Sequence, residues 1–209
     1  MRVVLPLVLL LSITACAAPD KFTPSDSRDA HWQAHVQAVS NMQKWRAMGR
    51  IAVKTKDDGG TVRLIWDQNQ DDYTVRLSAP LGKGVVRLRS TENGAELSNS
   101  DGSIITGKSA EELVRQVFGW QMPIDQLGHW LTGLPGQHAE YSLNTQSLLG
   151  SLNWKQWEAQ FERYTDDRYP PLPSKIRVAS NDVEIRVVID SWNQSPSEVS
   201  TTRIPIPGE

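Results

Sequence analysis

Few side chains in this 209-residue chain are of the types that perform reactions, and their spacing narrows the chemistry further. Cys16 is the only cysteine, so no internal disulfide can form. His31 and His35 lie four apart on a helical pattern, close enough to share a metal. No third ligand accompanies them and no His-Glu-x-x-His pattern is present, so a solvated helix face is the expected place for both. His129 and His138 sit in no Ser or Asp constellation that would organise a nucleophile and its base. Gly82-Lys83-Gly84 is too short to cradle a phosphate. The expectation is therefore no catalytic residue, no metal and no cofactor. One feature is left over: Leu81, with Lys83 beside it, occupies a Pro80-Leu81-Gly82-Lys83-Gly84 turn, where surface loops are normally polar. Either it folds back beneath the loop or it touches a membrane.

The elements holding that turn are strands. Tyr73, Val75 and Leu77 alternate with Thr74, Arg76 and Ser78, and beyond the turn Val86 and Leu88 alternate with Arg87 and Arg89. Period two around a Pro/Gly turn predicts a hairpin. The same alternation recurs at 50–55, 61–66, 95–98, 103–106, 140–143, 155–163, 176–178 and 183–189, separated by Gly, Asn, Asp and Pro signals, giving about eleven strands. Helices are confined to the start and the middle. Asp26 or Ser27 can cap a helix carrying Trp32, Val36, Val39 and Met42 at helical spacing. Ser109-Ala110-Glu111-Glu112 is a capping box opening a second helix with Leu113, Val114, Val117 and Phe118, ended by Gly119. Ile124, Leu127, Trp130 and Leu131 mark a third, between Pro123 and Gly133. Such a pattern fits a curved sheet with one apolar face, hollow beneath three helices. It fits equally a closed barrel or sandwich filled by its own side chains.

Composition restricts the partners. A formal net charge of -2, 39% hydrophobic and 22% charged residues describe one ordinary globular domain with no sign of nucleic-acid binding. Eight tryptophans against three phenylalanines and four tyrosines require a shared apolar home. At the amino terminus a short basic start precedes an apolar run, 3–11, too short to span a bilayer and suited to a signal-peptide core, residues 1–15. Ile13-Thr14-Ala15-Cys16 resembles a bacterial lipobox, which implies that Cys16 becomes the first mature residue and carries the lipid attachment. Ala17 in place of Asp then implies sorting to the outer membrane. Residues 16–29 read as the acylated Cys and a flexible tether, 30–192 as the folded domain and 193–209 as a disordered Ser/Thr/Pro-rich tail.

Ala79-Pro80-Leu81-Gly82 with its following strand, and Met122-Pro123-Ile124 continuing through Leu127, Trp130-Leu131 and Gly133-Leu134-Pro135-Gly136, resemble the LolB family over nearly all of residues 32–192. The resemblance implies an incomplete antiparallel β-barrel, mostly β with α, under a helical lid over an apolar cavity. It implies an outer-membrane, lipid-anchored monomer facing the periplasm that accepts acylated lipoproteins from the carrier LolA and inserts them without nucleotide hydrolysis. Pro80, Leu81 and Gly82 would then form the membrane-insertion loop. The candidates for lining the cavity with acyl chains are Ile51, Val53, Leu64, Trp66, Val75, Leu77, Val86, Leu88, Val117, Trp130 and Leu131, each equally a candidate for ordinary core packing. The competing function is an envelope lipoprotein that binds another apolar ligand or scaffolds a partner.

Overall fold

The computed structural model describes residues 24–79, 84–119 and 121–194. Cys16, the turn residues Pro80, Leu81 and Gly82, and the tail beyond Gln194 lie outside the described residues. The chain opens with α1 (Pro24–Ser40) and runs through β1 (Lys44–Thr55), β2 (Gly59–Asn69), β3 (Asp72–Ser78), β4 (Val85–Thr91), β5 (Gly94–Asn99) and β6 (Ile104–Gly107). Next come α2 (Ala110–Phe118) and α3 (Ile124–Thr132). The chain ends in β7 (Glu140–Leu143), β8 (Leu149–Trp154), β9 (Trp157–Tyr164), β10 (Pro173–Ala179) and β11 (Val183–Asn193).

All eleven strands form one antiparallel sheet in the order β6-β5-β4-β3-β2-β1-β11-β10-β9-β8-β7. Two meanders therefore meet where β1 pairs with β11, and β6 and β7 remain as unjoined edges. The barrel is incomplete because the chain leaves β6 as helices instead of pairing it with β7. Of the two architectures the alternation allowed, the open one is present.

Glycine lets the central strands approach. At the bulge between Met48 and Gly49 the β1–β11 register shifts, and a Cβ on Gly49 would lie 2.0 Å from the Val188 carbonyl oxygen. Only a residue without a side chain fits there. On α3, a Cβ on Gly128 would come within 3.2 Å of the Trp66 ring, so the helix lies directly on that indole.

Caps fix the helices. Ser109 Oγ accepts the Glu112 N–H at 3.2 Å, and Glu112 Oε2 accepts the Lys108 N–H at 3.0 Å, a reciprocal pair displaced one residue from the usual box. Gly119 and Gly133 end α2 and α3 with φ of 77° and 83°, the left-handed conformation a glycine C-cap supplies.

Several boundaries differ from those expected: β1 starts at Lys44, six residues early, and β2 and β11 run on to Asn69 and Asn193. The first helix starts at Pro24, inside the stretch read as tether, because Pro at a first helical turn lacks only an N–H that no helical carbonyl would accept. Strand β8 has no clean alternation in Leu149-Gly150-Ser151-Leu152 and went unnamed; it is paired on both sides, with β7 and β9. Lys155 has a φ of 52° in the tight turn between Trp154 and Trp157, so β9 starts at Trp157.

His35 also departs from expectation. His31 is exposed, but His35 is buried against Trp32, with ring centroids 5.7 Å apart, and near Tyr164. The helix rotates that position inward beside Trp32 and Val39. Neither ring nitrogen has a hydrogen-bond partner, and burial lowers the imidazole pKa to about 4.

Candidate functional site: an apolar cavity between the sheet and the second helix

The inward face of β1 to β5 carries cross-strand rows. One runs Ala47, Trp66, Val75, Leu88, Leu97 through consecutive register pairs; the next runs Gly49, Leu64, Leu77, Val86. Further along β1, Ile51 stands opposite Val62 and Val53 opposite Gly60. Rows of branched side chains on a pleat make a continuous oily surface.

The tryptophans fill one part of this interior. Trp45 stacks on Trp66 at 6.2 Å, Trp66 on Tyr73 at 5.0 Å, and Trp192 meets Trp45 edge-on at 5.4 Å. Trp130 and Leu131 of α3 are completely buried; Trp130 meets Trp154 of β8 edge-on at 6.3 Å, and its Nε1–H donates to the Pro135 carbonyl at 3.2 Å. Tyr73 Oη donates to Asp125 Oδ1 at 2.6 Å and ties α3 to β3; burial first and the Asp125 carboxylate second raise the phenol pKa, so it stays protonated. This half is a packed core.

The other half is hollow. A cavity of about 360 Å³ lies between the sheet and α2, lined on the sheet by Ile51, Val53, Val62, Val75, Leu77, Val86, Leu88 and Leu97, and on the helical side by Val114, Phe118, Met122 and Ile124. Its remaining lining residues are Thr55, Asp58, Gly59 and Gly60, at the β1–β2 turn. Asp58 is its one ionisable residue, and its Oδ1 accepts the Gly59 N–H at 2.7 Å. Three larger depressions, of about 660, 690 and 380 Å³, have in their walls Asp71 with Glu92 and Glu96, Asp71 with Asp125 and His129, and Glu111 with Glu112, Arg115 and Lys155, respectively. Carboxylates and amides cannot desolvate a hydrocarbon, whereas the smaller cavity can.

Of the sequence-derived lining candidates, Ile51, Val53, Val75, Leu77, Val86 and Leu88 come together on the cavity wall. Leu64, Trp66, Trp130 and Leu131 do not: they point inward but are consumed in the packed core. Val117 is 38% exposed, because the stripe of α2 toward the cavity continues from Val114 to Phe118, four residues on. Leu97, Met122 and Ile124 were missed as lining, although the alternation of 95–98 and the apolar run 122–124 carried the signal. Val62, which alternates in step with Leu64 and Trp66, was missed as well.

The cavity wall reaches toward the end of the sheet where the described parts of the hairpin stop. Leu77 and Val86, both on the wall, are each two residues from Ala79 and Gly84, where the Ala79 N–H donates to the Gly84 carbonyl at 3.1 Å. Pro80, Leu81 and Gly82 connect these two flanks. α2 closes over the cavity from the side, buried at Ala110, Leu113 and Val114 but exposed in its last turn at Val117 and Phe118, the latter by 42%. No helix among the described residues is long and apolar enough to cross a membrane, and no group of three or more His, Cys, Asp and Glu among them is placed to hold a metal.

Residues 43–192 match the family described as "Outer membrane lipoprotein LolB". The outer-membrane lipoprotein LolB of Stutzerimonas stutzeri strain A1501 is 30% identical over 188 residues, 89% of this chain and 91% of that one. Its namesake in Pseudomonas putida strain GB-1 is 31% identical over 163 residues, 77% and 80% of the two chains. Among solved structures, a LolA superfamily protein from Nitrosomonas europaea superposes with a TM-score of 0.51 at 7% identity, over 81% of this chain and 94% of that one, a likeness of fold alone.

Proposed function

This chain belongs to the outer-membrane lipoprotein LolB family, and from that premise we propose that it receives acylated lipoproteins from a periplasmic carrier of the LolA kind and inserts them into the inner leaflet of the outer membrane. Lipoprotein localisation at the outer membrane is the role the family carries; the receiving and inserting steps are the reading offered here. The observation that supports it most directly is the hollow, carboxylate-poor half of the interior, walled in part by the strands β3 and β4 that carry the hairpin.

Hydrocarbon transfer explains why such a hollow is needed. Three chains of about fifteen methylenes each would cost roughly 36 kcal/mol in water at about 0.8 kcal/mol per methylene. A cavity of about 360 Å³ seats about a dozen methylenes if each takes a water-sized share of ~30 Å³. That is most of one chain. Further chains require the exposed last turn of α2 to swing away from the sheet, with its buried first turns as the pivot. Chains then pass between apolar walls without full hydration, and the drive is the more favourable burial at each successive site, with no nucleotide. Cys16 supplies the lipid anchor, and Leu81, in the segment that joins the cavity-wall strands β3 and β4, enters the interface and lowers the barrier to release.

Leu81→Glu tests the last step. The variant is expected to take an acylated lipoprotein from a loaded carrier at the parental rate and fail to deliver it to vesicles; normal delivery removes Leu81 from the mechanism. Failure of the parent to accept cargo at all would instead favour an envelope lipoprotein holding a different apolar ligand.

A further inference from the structure

The outward face of the same strands carries arginines in an arrangement that the protein itself does not neutralise. Register places Arg50 opposite Arg63 across β1 and β2, and Arg76 opposite Arg87 across β3 and β4. Like charges directly opposite on a sheet are destabilising. Arg50 is relieved by Asp190 at 3.0 Å, and Arg46 by Asp67. Among the described residues Arg63, Arg76 and Arg87 have no ion pair or hydrogen bond of their own, and the nearest carboxylate in register, Glu96, stands opposite Arg89. Three guanidinium groups on adjacent strands thus await an anion.

Their height on the hairpin identifies it. Arg63 pairs with Ser78, one residue from the hairpin's mouth, and Arg76 and Arg87 are three residues from Ala79 and Gly84. At ~3.3 Å per residue those arginines are about 10 Å from the mouth. The headgroup layer on each side of a bilayer is about 5–8 Å deep. With the turn at the membrane surface, long arginine side chains reach the phosphates, and the planar fork of each can bind one bidentately. The geometry points to Arg63, Arg76 and Arg87 as a docking face for anionic phospholipid headgroups, which orients the β3–β4 hairpin toward the bilayer. This rests on the reading that the 80–83 turn meets the membrane.

The test uses the chain from residue 16 onward carrying Cys16→Ala, which keeps every described residue and has no acyl anchor. It is sedimented with vesicles of phosphatidylcholine alone or mixed with phosphatidylglycerol. Binding to the mixed vesicles is expected to exceed that to phosphatidylcholine and to weaken with salt. Arg76→Gln/Arg87→Gln is expected to bind about thirtyfold more weakly, at about fivefold per arginine near an anionic surface, and Arg63→Gln about fivefold. The thermal midpoint of the double variant should not fall, since a like-charge pair is removed. Equal binding of parent and double variant to the mixed vesicles overturns the proposal. Normal vesicle binding with slowed uptake from a loaded carrier also overturns it and assigns the arginines to an acidic protein surface. Leu81→Glu separates this from the insertion reading, because vesicle binding is measured without cargo and delivery is measured with it.

Discussion

Narrowing the cavity with the protein's own side chain should weaken acyl-chain uptake while leaving the fold intact. Leu77 is the position for this, since it is half-buried and lines the wall. Leu77→Trp adds about six heavy atoms, which as bonded ring atoms at interior packing density occupy ~10 Å³ each, about 60 Å³ together. That is about a sixth of the 360 Å³ available. About two methylenes of a bound chain lose their seat, an upper bound of ~1.6 kcal/mol at about 0.8 kcal/mol each. Because the last turn of α2 can yield, about half of this is expected, weakening binding roughly fourfold. The assay is equilibrium binding of a fluorescent single-chain fatty acid, followed by transfer of an acylated lipoprotein from its carrier. Ile65→Trp, on the opposite face of β2, is the control and should bind as the parent does. If Leu77→Trp binds the fatty acid at parental affinity while its urea midpoint is unchanged, acyl chains do not occupy this cavity and the transfer mechanism built on it is wrong.

Two further outcomes follow from the fold. His35 is neutral when folded, with its pKa lowered to about 4 by burial, whereas in the unfolded chain it titrates near ~6.5. Between those values the unfolded state binds the extra proton, so stability falls as pH drops from about 6.5 to about 4, by on the order of 3 kcal/mol. His35→Leu should flatten that part of the stability profile in urea melts at stepped pH, and a profile parallel to the parent's contradicts the burial argument. Gly49→Ala places a methyl against the Val188 carbonyl oxygen, and should cost roughly 3 kcal/mol or more by forcing β1 from β11. An unchanged denaturation midpoint would mean that the two strands do not approach this closely.

Strand alternation, the capping box at Ser109 and the glycine stops at Gly119 and Gly133 were local signals, and they located most elements because side-chain direction and cap chemistry are set by a residue's immediate neighbours. The start of α1 was displaced because Pro24 reads as a loop residue in isolation and as a good first-turn residue once a helix follows. His35 looked solvated because only packing of α1 against the body shows which stripe is covered. The alternation of β2 and β3 was legible, but which face turns inward was not, and Leu64 and Trp66 could not be told from Leu77 and Val75 as cavity wall.

The chain by itself determined that there would be about eleven antiparallel strands with helices at the start and middle, a single thiol, and an apolar turn residue at Leu81. These follow from period, turn chemistry and composition, all properties of short segments. Only the tertiary structure decided that β1 pairs with β11 while β6 and β7 stay apart, and that Trp45 and Trp66 stack on each other and Trp130 meets Trp154 edge-on while the space between the sheet and α2 stays hollow. Whether an inward side chain meets another side chain or empty space depends on what arrives from the far end of the sequence, and no local pattern encodes that distance.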